Sequence, residues 1–182
     1  MFLKRFFANI FFVCTHLYGI LMLRREKEIA KYLLKNALKI STAESCTGGL
    51  ISSRLTDVSG SSAYIFQNIV TYANEAKIKY LAVKADTIEK YGVVSVEVAG
   101  EMAKGLINNF DCSIGIATTG IAGPLGATET KPVGLICIGI ADKDKCITHK
   151  FEANPLLYRR LMKYAFADKA LDLLLEFLKE NY

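Results

Sequence analysis

The chain has 182 residues, which suits one domain with a sizeable core, since single cores typically run from about 100 to 200 residues. Its net charge of +5 comes mainly from residues 1–25, where four basic residues have no acidic counterpart; the remainder carries 19 basic and 18 acidic residues. A nearly neutral body lacks the basic surface of a nucleic-acid-binding protein, so no nucleic-acid partner is predicted.

Cysteines and histidines narrow the chemistry further. The five cysteines form no CxxC pair, are odd in number and mostly lie in apolar runs, which predicts a reducing, cytoplasmic location. The two histidines, His16 and His149, are far from any cysteine or carboxylate cluster, so neither a zinc site nor a Ser/His/Asp triad is predicted. Hydrolytic chemistry in this chain would need another base.

Residues 6–23 form an apolar run between two basic pairs, Lys4 with Arg5 and Arg24 with Arg25. About 18 apolar residues is the lower limit for a membrane span. Three interpretations follow: a membrane anchor, a terminal helix packed on the body or a partner, or translated upstream sequence before a start at Met22. We favour the start at Met22, with residues 1–21 as an extension and 22–182 as the domain. A chain beginning there is expected to keep its activity, because the run precedes every motif.

Beyond residue 25, helix-like and strand-like patterns alternate. Apolar periodicity and capping residues predict helices over 26–36, from 47 to about 58–62, and over 75–81, 85–91, 96–108 and 155–180. Asn74 and Ser95 are predicted as helix caps. Apolar runs predict strands leading to residue 42 and over 65–72, 112–119, 133–141 and 146–151. This alternation indicates one layered α/β domain.

The stretch TAESCTGGL, residues 42–50, changes character between an apolar strand-like run and a helix-like run. A hydroxyl, a thiol, a second hydroxyl and two glycines form the predicted turn. The N-terminus of the following helix would offer free N–H groups to an anion or a developing oxyanion, with Ser45 at its mouth. The alternative is that Ser45 or Thr47 simply caps the helix.

Tyr72, Asn74 and Lys77 form the second informative group. A lysine in the first turn of a helix faces the positive end of the dipole, which lowers its pKa and suits it to act as a base. The alternative is that Lys77 is a solvated surface residue and Tyr72 an aromatic at the edge of the core. The lack of a histidine base for Ser45 favours the functional interpretation.

The third group is the loop GIAGPLGATETKPVG, residues 120–134, which is too long for a simple connector. Gly120, Gly123 and Gly126 would let the backbone approach a ligand closely, and nearby threonines would add hydroxyl groups. Such a loop suits a phosphate or a ribose. It matches neither the GxGxxG nor the Walker pattern.

Four motifs in order, from roughly Ile29 to the C-terminus, resemble the C-terminal domain of the competence/damage-inducible CinA family. They read TAESCTGGL, GSSAYIFQNIVTYANEAKIKYLAV, VSVEVAGEMAKG and TTGIAGPLGATETKPVG. Stand-alone members of this family are nicotinamide mononucleotide deamidases, amidohydrolases of pyridine-nucleotide salvage. The resemblance implies a three-layer α/β/α sandwich, a small nucleotide substrate, no metal or organic cofactor, and a homodimer.

The resemblance also implies roles for individual residues. Ser45 would be the nucleophile, Lys77 its base, and Tyr72 a partner that relays or positions the proton. The substrate-binding residues would be Glu44, Cys46, Thr47, Gly48, Gly49, Asn74, Thr119, Gly120, Gly123 and Arg159. The N–H groups of Cys46 or Thr47 would steady the oxyanion. The separate N-terminal pyrophosphatase domain of longer members is expected to be absent.

The sequence departs from the family pattern at three places, of which the departures at 67–68 and 153–155 support an alternative function. Gln67 and Asn68 stand where two glycines are usual, residues 153–155 replace a GDR sequence, and the loop reads GPLGA rather than GPGGG. The alternative is a non-catalytic nucleotide-binding or competence-associated interaction protein of the same fold. Release of ammonia from nicotinamide mononucleotide distinguishes the two.

Overall fold

A computed structural model describes the backbone of residues 2–22 and 24–182 and the side chains of residues 3–14 and 24–182. The helices are α1 (Phe2–Met22), α2 (Arg24–Lys35), α3 (Leu50–Thr56), α4 (Asn74–Leu81), α5 (Ala85–Tyr91), α6 (Val96–Asn109) and α7 (Arg159–Asn181). The strands are β1 (Ile40–Glu44), β2 (Ile65–Val70), β3 (Ile114–Gly120), β4 (Leu135–Ala141) and β5 (Cys146–Glu152).

The five strands form one sheet in the order β2-β1-β3-β4-β5. Strand β1 pairs in parallel with both β2 and β3, whereas β4 and β5 continue the sheet as an antiparallel hairpin. Every residue of β1 and β4 is buried, because helices cover both faces of the sheet. The predicted α/β class and the single layered domain are confirmed.

Two hydrophobic clusters, one on each face of the sheet, form the core. The larger cluster joins α2, α3 and α7 to isoleucines of β1, β3 and β4, with Phe166 and Phe177 of α7 among its largest side chains. The smaller cluster packs α6 and Leu81 of α4 against small residues of the sheet such as Ala43 and Ala117. These two layers hold the strand ends in fixed positions.

Helix starts are where the structure departs most from the predicted boundaries. Helix α3 begins at Leu50 rather than at residue 47, because Gly48 and Gly49 have φ values of 61° and 92° and belong to a turn. Helix α7 begins at Arg159 rather than at residue 155. Ala73, not Asn74, occupies the N-cap of α4, whereas the Ser95 cap is confirmed by a hydrogen bond from the Val98 N–H.

Helix α1 lies against the body of the protein. Phe12 packs on the larger hydrophobic cluster, and the side chain of Asn9 is bonded to the segment that precedes α7. These contacts match the interpretation of a terminal helix packed on the body. Among the described residues, no helix combines the length and apolarity of a membrane span. The expected boundary at Met22 falls next to Leu23, which with Met1 lies outside the described residues.

A buried ionic cluster connects α2, α3 and α7. The guanidinium of Arg54 donates to the Glu26 carboxylate through Nε at 2.8 Å and to Asp168 at 2.7 Å, and Arg25 donates to Asp168 at 2.8 Å. Glu26 and Arg54 are both buried, so the Glu26 carboxylate depends on this arginine for compensation, whereas Asp168 also pairs with Arg25.

We expect Arg54→Met to lower the free energy of unfolding by about 3–5 kcal/mol, because it leaves the Glu26 carboxylate buried without its cation. Lys143→Met is the control, since its pair with Asp144 spans 3.7 Å with both side chains largely exposed. It should change stability by less than about 1 kcal/mol. Urea unfolding of both variants measures the difference, and equal losses would contradict the assignment.

Candidate active site

Three parallel strands end at one edge of the sheet, and the predicted functional residues lie there. Ser45 follows β1, Tyr72 follows β2, and Thr119 and Gly120 close β3. The chain passes from β1 to β2 on one side and later to β3 on the other. The carboxyl end of β1 is therefore a topological switch point, where open α/β sheets usually bind ligands.

The turn after β1 holds Ser45 at this edge. The Ser45 N–H donates to the Thr118 carbonyl at 3.1 Å, and the Gly48 N–H donates to the Ser45 carbonyl at 3.1 Å. Thr47 is fully buried, and its hydroxyl lies 2.9 Å from that of Thr118. The Ser45 N–H and the Thr47 side chain thus fasten the turn to β3, the Gly48 N–H closes it, and Ser45 lines the pocket at this edge.

Glu44 has a different position from the one its predicted substrate-binding role requires. Its fully buried carboxylate accepts hydrogen bonds from the N–H groups of Gly49, Ile51 and Ser52 at 2.9, 3.1 and 2.8 Å. The Ser52 hydroxyl also donates to it at 2.5 Å. An anion at a helix N-terminus stabilises the helix, so Glu44 acts within the fold, as the anion that satisfies α3.

Lys77 reaches Ser45 from helix α4. Its Nζ donates to Ser45 Oγ at 3.1 Å, to the Thr71 carbonyl at 2.7 Å and to the Tyr72 carbonyl at 3.2 Å. Only 1% of the lysine is exposed, so the predicted alternative of a solvated surface lysine is wrong. Burial lowers the pKa of Lys77, because water no longer stabilises the ammonium.

The partners of Lys77 define how a neutral amine would be oriented. A neutral amine has two N–H donors and one lone pair. The carbonyls of Thr71 and Tyr72 can only accept, so they would take both N–H groups. The lone pair would then face the Ser45 hydroxyl, which is the arrangement that a general base requires.

Tyr72 and Arg159 meet on the opposite side of the site. The guanidinium of Arg159 donates to the Tyr72 hydroxyl at 2.8 Å and to the Gly123 carbonyl at 2.7 Å. Arg159 therefore ties the strand end after β2 to the loop 121–134. Because a guanidinium has five N–H donors, three remain for a ligand.

These residues surround a pocket of about 220 Å³. Of the predicted site residues, those that line it are Ser45, Cys46, Tyr72, Asn74, Lys77, Thr119, Gly120 and Arg159. Four further lining residues belong to the predicted glycine-rich loop without having been assigned to the site individually: Ile121, Ala122, Leu125 and Gly126. The lining residues that the sequence did not indicate are Val93 and Val94, ordinary apolar residues whose place in a pocket only the folded chain reveals.

The remaining predicted residues support the pocket from behind. Thr47, Gly48 and Gly49 belong to the fastened turn, and Gly123 contributes its carbonyl to Arg159. Gly120 permits a close approach, since a Cβ there would lie 2.6 Å from the Leu135 carbonyl oxygen and 3.0 Å from Cys46 Sγ. Among described residues, no group of three or more His, Cys, Asp or Glu could hold a metal ion.

The departures from the family pattern lie mostly away from the pocket. Asn68 accepts a hydrogen bond from the Thr42 hydroxyl at 3.1 Å within the sheet, and Ala153 is buried in the larger cluster. Of these positions only Leu125 lines the pocket, and 85% of it is exposed. The departures at 67, 68 and 153–155 are therefore changes in the framework.

Cys46, beside Ser45, is a poor alternative nucleophile. Burial raises its pKa to about 12, so the thiol stays protonated at neutral pH, whereas the thiolate is the reactive form.

We expect Cys46→Ala to keep turnover within about tenfold of wild type, because only packing is lost. In native protein at pH 8, iodoacetamide should modify the exposed Cys14 before Cys46. Rapid alkylation of Cys46 with loss of activity would contradict this assignment.

A buried lysine beside a serine, at the carboxyl edge of a parallel sheet, defines an α/β protein with a candidate serine–lysine site. The chain belongs to the CinA family, since the model of the CinA C-terminal domain matches residues 23–178. It is 47% identical over 168 residues to a CinA-like protein of Chloroherpeton thalassium. The matched region covers 91% of this chain and 40% of that relative.

Two solved structures share the fold. The competence/damage inducible protein CihA from Agrobacterium tumefaciens superposes with a TM-score of 0.79 at 34% identity, covering 85% of this chain and 95% of that one. The competence damage-inducible protein A (ComA) from Klebsiella pneumoniae gives a TM-score of 0.83 at 27% identity, covering 88% and 98%.

Proposed function

We propose that this protein is an amidohydrolase that converts nicotinamide mononucleotide to nicotinate mononucleotide and ammonia, in cytoplasmic salvage of pyridine nucleotides. The observation that carries this proposal is the contact of 3.1 Å between Lys77 Nζ and Ser45 Oγ inside the pocket. Membership of the CinA family supports it, because the sequence motifs resemble the deamidase members. The homodimer stays a prediction.

Both halves of the proposed reaction use Ser45 and Lys77. Ser45 Oγ attacks the carboxamide carbon while Lys77 takes the hydroxyl proton. The N–H groups of Cys46 or Thr47 stabilise the tetrahedral oxyanion. When the C–N bond breaks, that proton passes to the leaving nitrogen, so ammonia departs and an ester to Ser45 remains. Lys77 then takes a proton from water, whose oxygen attacks the ester carbon; as the bond to Oγ breaks, that proton passes to Ser45 Oγ and nicotinate mononucleotide leaves.

Tyr72 fits the positioning alternative better than the proton relay. Its hydroxyl accepts from Arg159, whereas its backbone carbonyl accepts from Lys77. The residue thus holds both the base and the cation, each through a different atom. With 61% of its surface exposed, the ring also has room to contact a ligand at the mouth of the pocket.

The rest of the pocket suits the substrate. Val93, Val94 and Ile121 offer an apolar wall to the pyridine ring, and the free N–H donors of Arg159 suit the phosphate. The volume of about 220 Å³ is below the usual range for whole ligands, roughly 300–1,000 Å³. It matches the nicotinamide end of the substrate, with the phosphate at the mouth near Arg159.

Ammonia release by the purified protein tests the proposal. Wild type with nicotinamide mononucleotide should release one ammonia for each nicotinate mononucleotide formed, and free nicotinamide, which lacks the phosphate, should react far more slowly. Binding of the nucleotide without ammonia release would favour the non-catalytic alternative. The chain spans about 40% of the length of its first curated relative, so the activity is measured on this chain itself.

A further inference from the structure

Helix α1 precedes the part of the chain that matches the CinA C-terminal domain, which begins at residue 23. One of its polar side chains, Asn9, is nevertheless only 5% exposed. Buried amides need hydrogen-bond partners, and two of the three that Asn9 has lie 147 and 149 residues away along the chain. These two belong to the segment between β5 and α7, directly before Arg159.

One orientation of the Asn9 amide makes all three of its hydrogen bonds. Its Nδ2 donates to the Arg5 carbonyl at 2.6 Å and to the Leu156 carbonyl at 3.0 Å. Its Oδ1 accepts from the Tyr158 N–H at 2.7 Å. A carbonyl can only accept and an N–H can only donate, so the side chain must supply both a donor and an acceptor. Asparagine does this at this length, whereas an aspartate would face two carbonyl oxygens.

Tyr158 is held both by its own helix, in which its carbonyl accepts from the Met162 N–H at 2.9 Å, and by contacts from α1. It is the N-cap of α7, and its side chain makes no capping hydrogen bond. Helix α1 holds it at two points, since Asn9 binds its backbone and the Arg5 guanidinium stacks 4.9 Å from its ring centroid. Arg159 follows at the next Cα, about 3.8 Å away, so a shift of Tyr158 moves the base of the Arg159 side chain.

We propose that Asn9 is a positioning residue, which holds Tyr158 so that Arg159 reaches the pocket; this inference rests on the proposed function. Arg159 must place its guanidinium within hydrogen-bond distance of both the Tyr72 hydroxyl and the Gly123 carbonyl. If the Arg159 backbone shifts, both hydrogen bonds weaken. Its remaining N–H donors are then no longer held in position for a phosphate. On this proposal a chain that begins at Met22 should bind its substrate more weakly, contrary to the expectation from the sequence that residues 1–21 are dispensable for activity.

Three variants of the full chain separate this role from packing. Asn9→Ala removes the amide, and Asn9→Asp keeps its shape but not its donor. Ile10→Ala is the matched control, because Ile10 is the next residue of α1 and is 45% exposed. Hydrogen exchange of the Tyr158 amide, followed by NMR, reports the anchor without requiring turnover. We expect exchange about tenfold faster or more in both Asn9 variants and unchanged in Ile10→Ala.

Kinetics with nicotinamide mononucleotide report the consequence for Arg159. Both Asn9 variants should raise KM about three- to tenfold, with kcat changed less than about twofold, because ground-state binding is lost. In an Arg159→Ala background, Asn9→Ala should have no further effect on KM, since it acts through that arginine.

Unchanged exchange at Tyr158, an effect equal to that of Ile10→Ala, or additive losses with Arg159→Ala would each overturn the positioning role. Absence of ammonia release by wild type would instead overturn the proposed function. In that case the same variants are titrated with nicotinamide mononucleotide by calorimetry. A rise in Kd that disappears in the Arg159→Ala background supports the role of Asn9, and an unchanged Kd overturns it.

Discussion

Ser45→Ala should abolish ammonia release from nicotinamide mononucleotide while leaving the protein folded. Ser45 Oγ is the atom that would bond to the carboxamide carbon, and no neighbouring group can replace it. Cys46 is buried with a pKa of about 12, so it carries no thiolate at neutral pH. Losses on removing a nucleophile of this kind run to about 10⁴-fold or more in kcat.

Folding of the Ser45 variant is expected to be unaffected, since the backbone of the turn is held by its own hydrogen bonds. Ser45 uses its N–H and its carbonyl for the contacts with Thr118 and Gly48, and both atoms persist in alanine. Ser53→Ala, at an exposed position of α3, is the matched control and should retain full activity. Turnover near the wild-type rate in Ser45→Ala would remove the serine from the mechanism.

Ser45 and Lys77 could be chosen from the sequence as candidate site residues because each carries a local signal. Ser45 precedes two glycines, and Lys77 lies in the first turn of a helix after a strand. What the sequence could not specify is that the lysine side chain turns inward. That outcome depends on the Thr71 and Tyr72 carbonyls, which follow the end of β2 and accept hydrogen bonds from Lys77 Nζ.

Glu44 shows where motif reasoning has a physical limit. It lies in the same motif as Ser45, yet Glu44 is the last residue of β1 and Ser45 the first of the turn, so the two side chains have different surroundings. Its carboxylate meets the N-terminus of α3, since the two glycines turn the helix back over the strand end. A motif records that a residue is needed, and only the packing separates support of the turn from contact with a ligand.

The apolar wall of the pocket and the contacts of Asn9 in α1 could not be predicted from the sequence, for a different reason. Val93 and Val94 come from the loop before α6, where no local pattern distinguishes them from core residues, and Ala122 is an ordinary apolar residue of the glycine-rich loop. Asn9 lies in the apolar run that was open to interpretation as a membrane anchor, a packed terminal helix or translated sequence upstream of a start at Met22. Its partners are the backbone groups of Arg5, Leu156 and Tyr158. Backbone groups leave no trace in the sequence, so such a contact cannot be inferred before folding.

Lys77→Arg should lose as much activity as Lys77→Ala, which tests whether this residue is a base or only a positive charge. Arginine keeps the charge but stays protonated at any pH at which the protein is folded. It would point donors at Ser45 and could not remove the hydroxyl proton. Lys79→Arg is the matched control, because Lys79 lies on the same helix and is exposed. It should behave as wild type.

The pH dependence of kcat/KM tests the same role without a substitution. Burial lowers the pKa of Lys77, and only the neutral amine can accept the serine proton. The neutral fraction grows as pH rises through that pKa. We therefore expect the rate to rise about tenfold for each pH unit below this pKa and to level off above it. A flat profile from pH 6 to 9, together with an active Lys77→Arg variant, would reassign Lys77 to attraction of the phosphate.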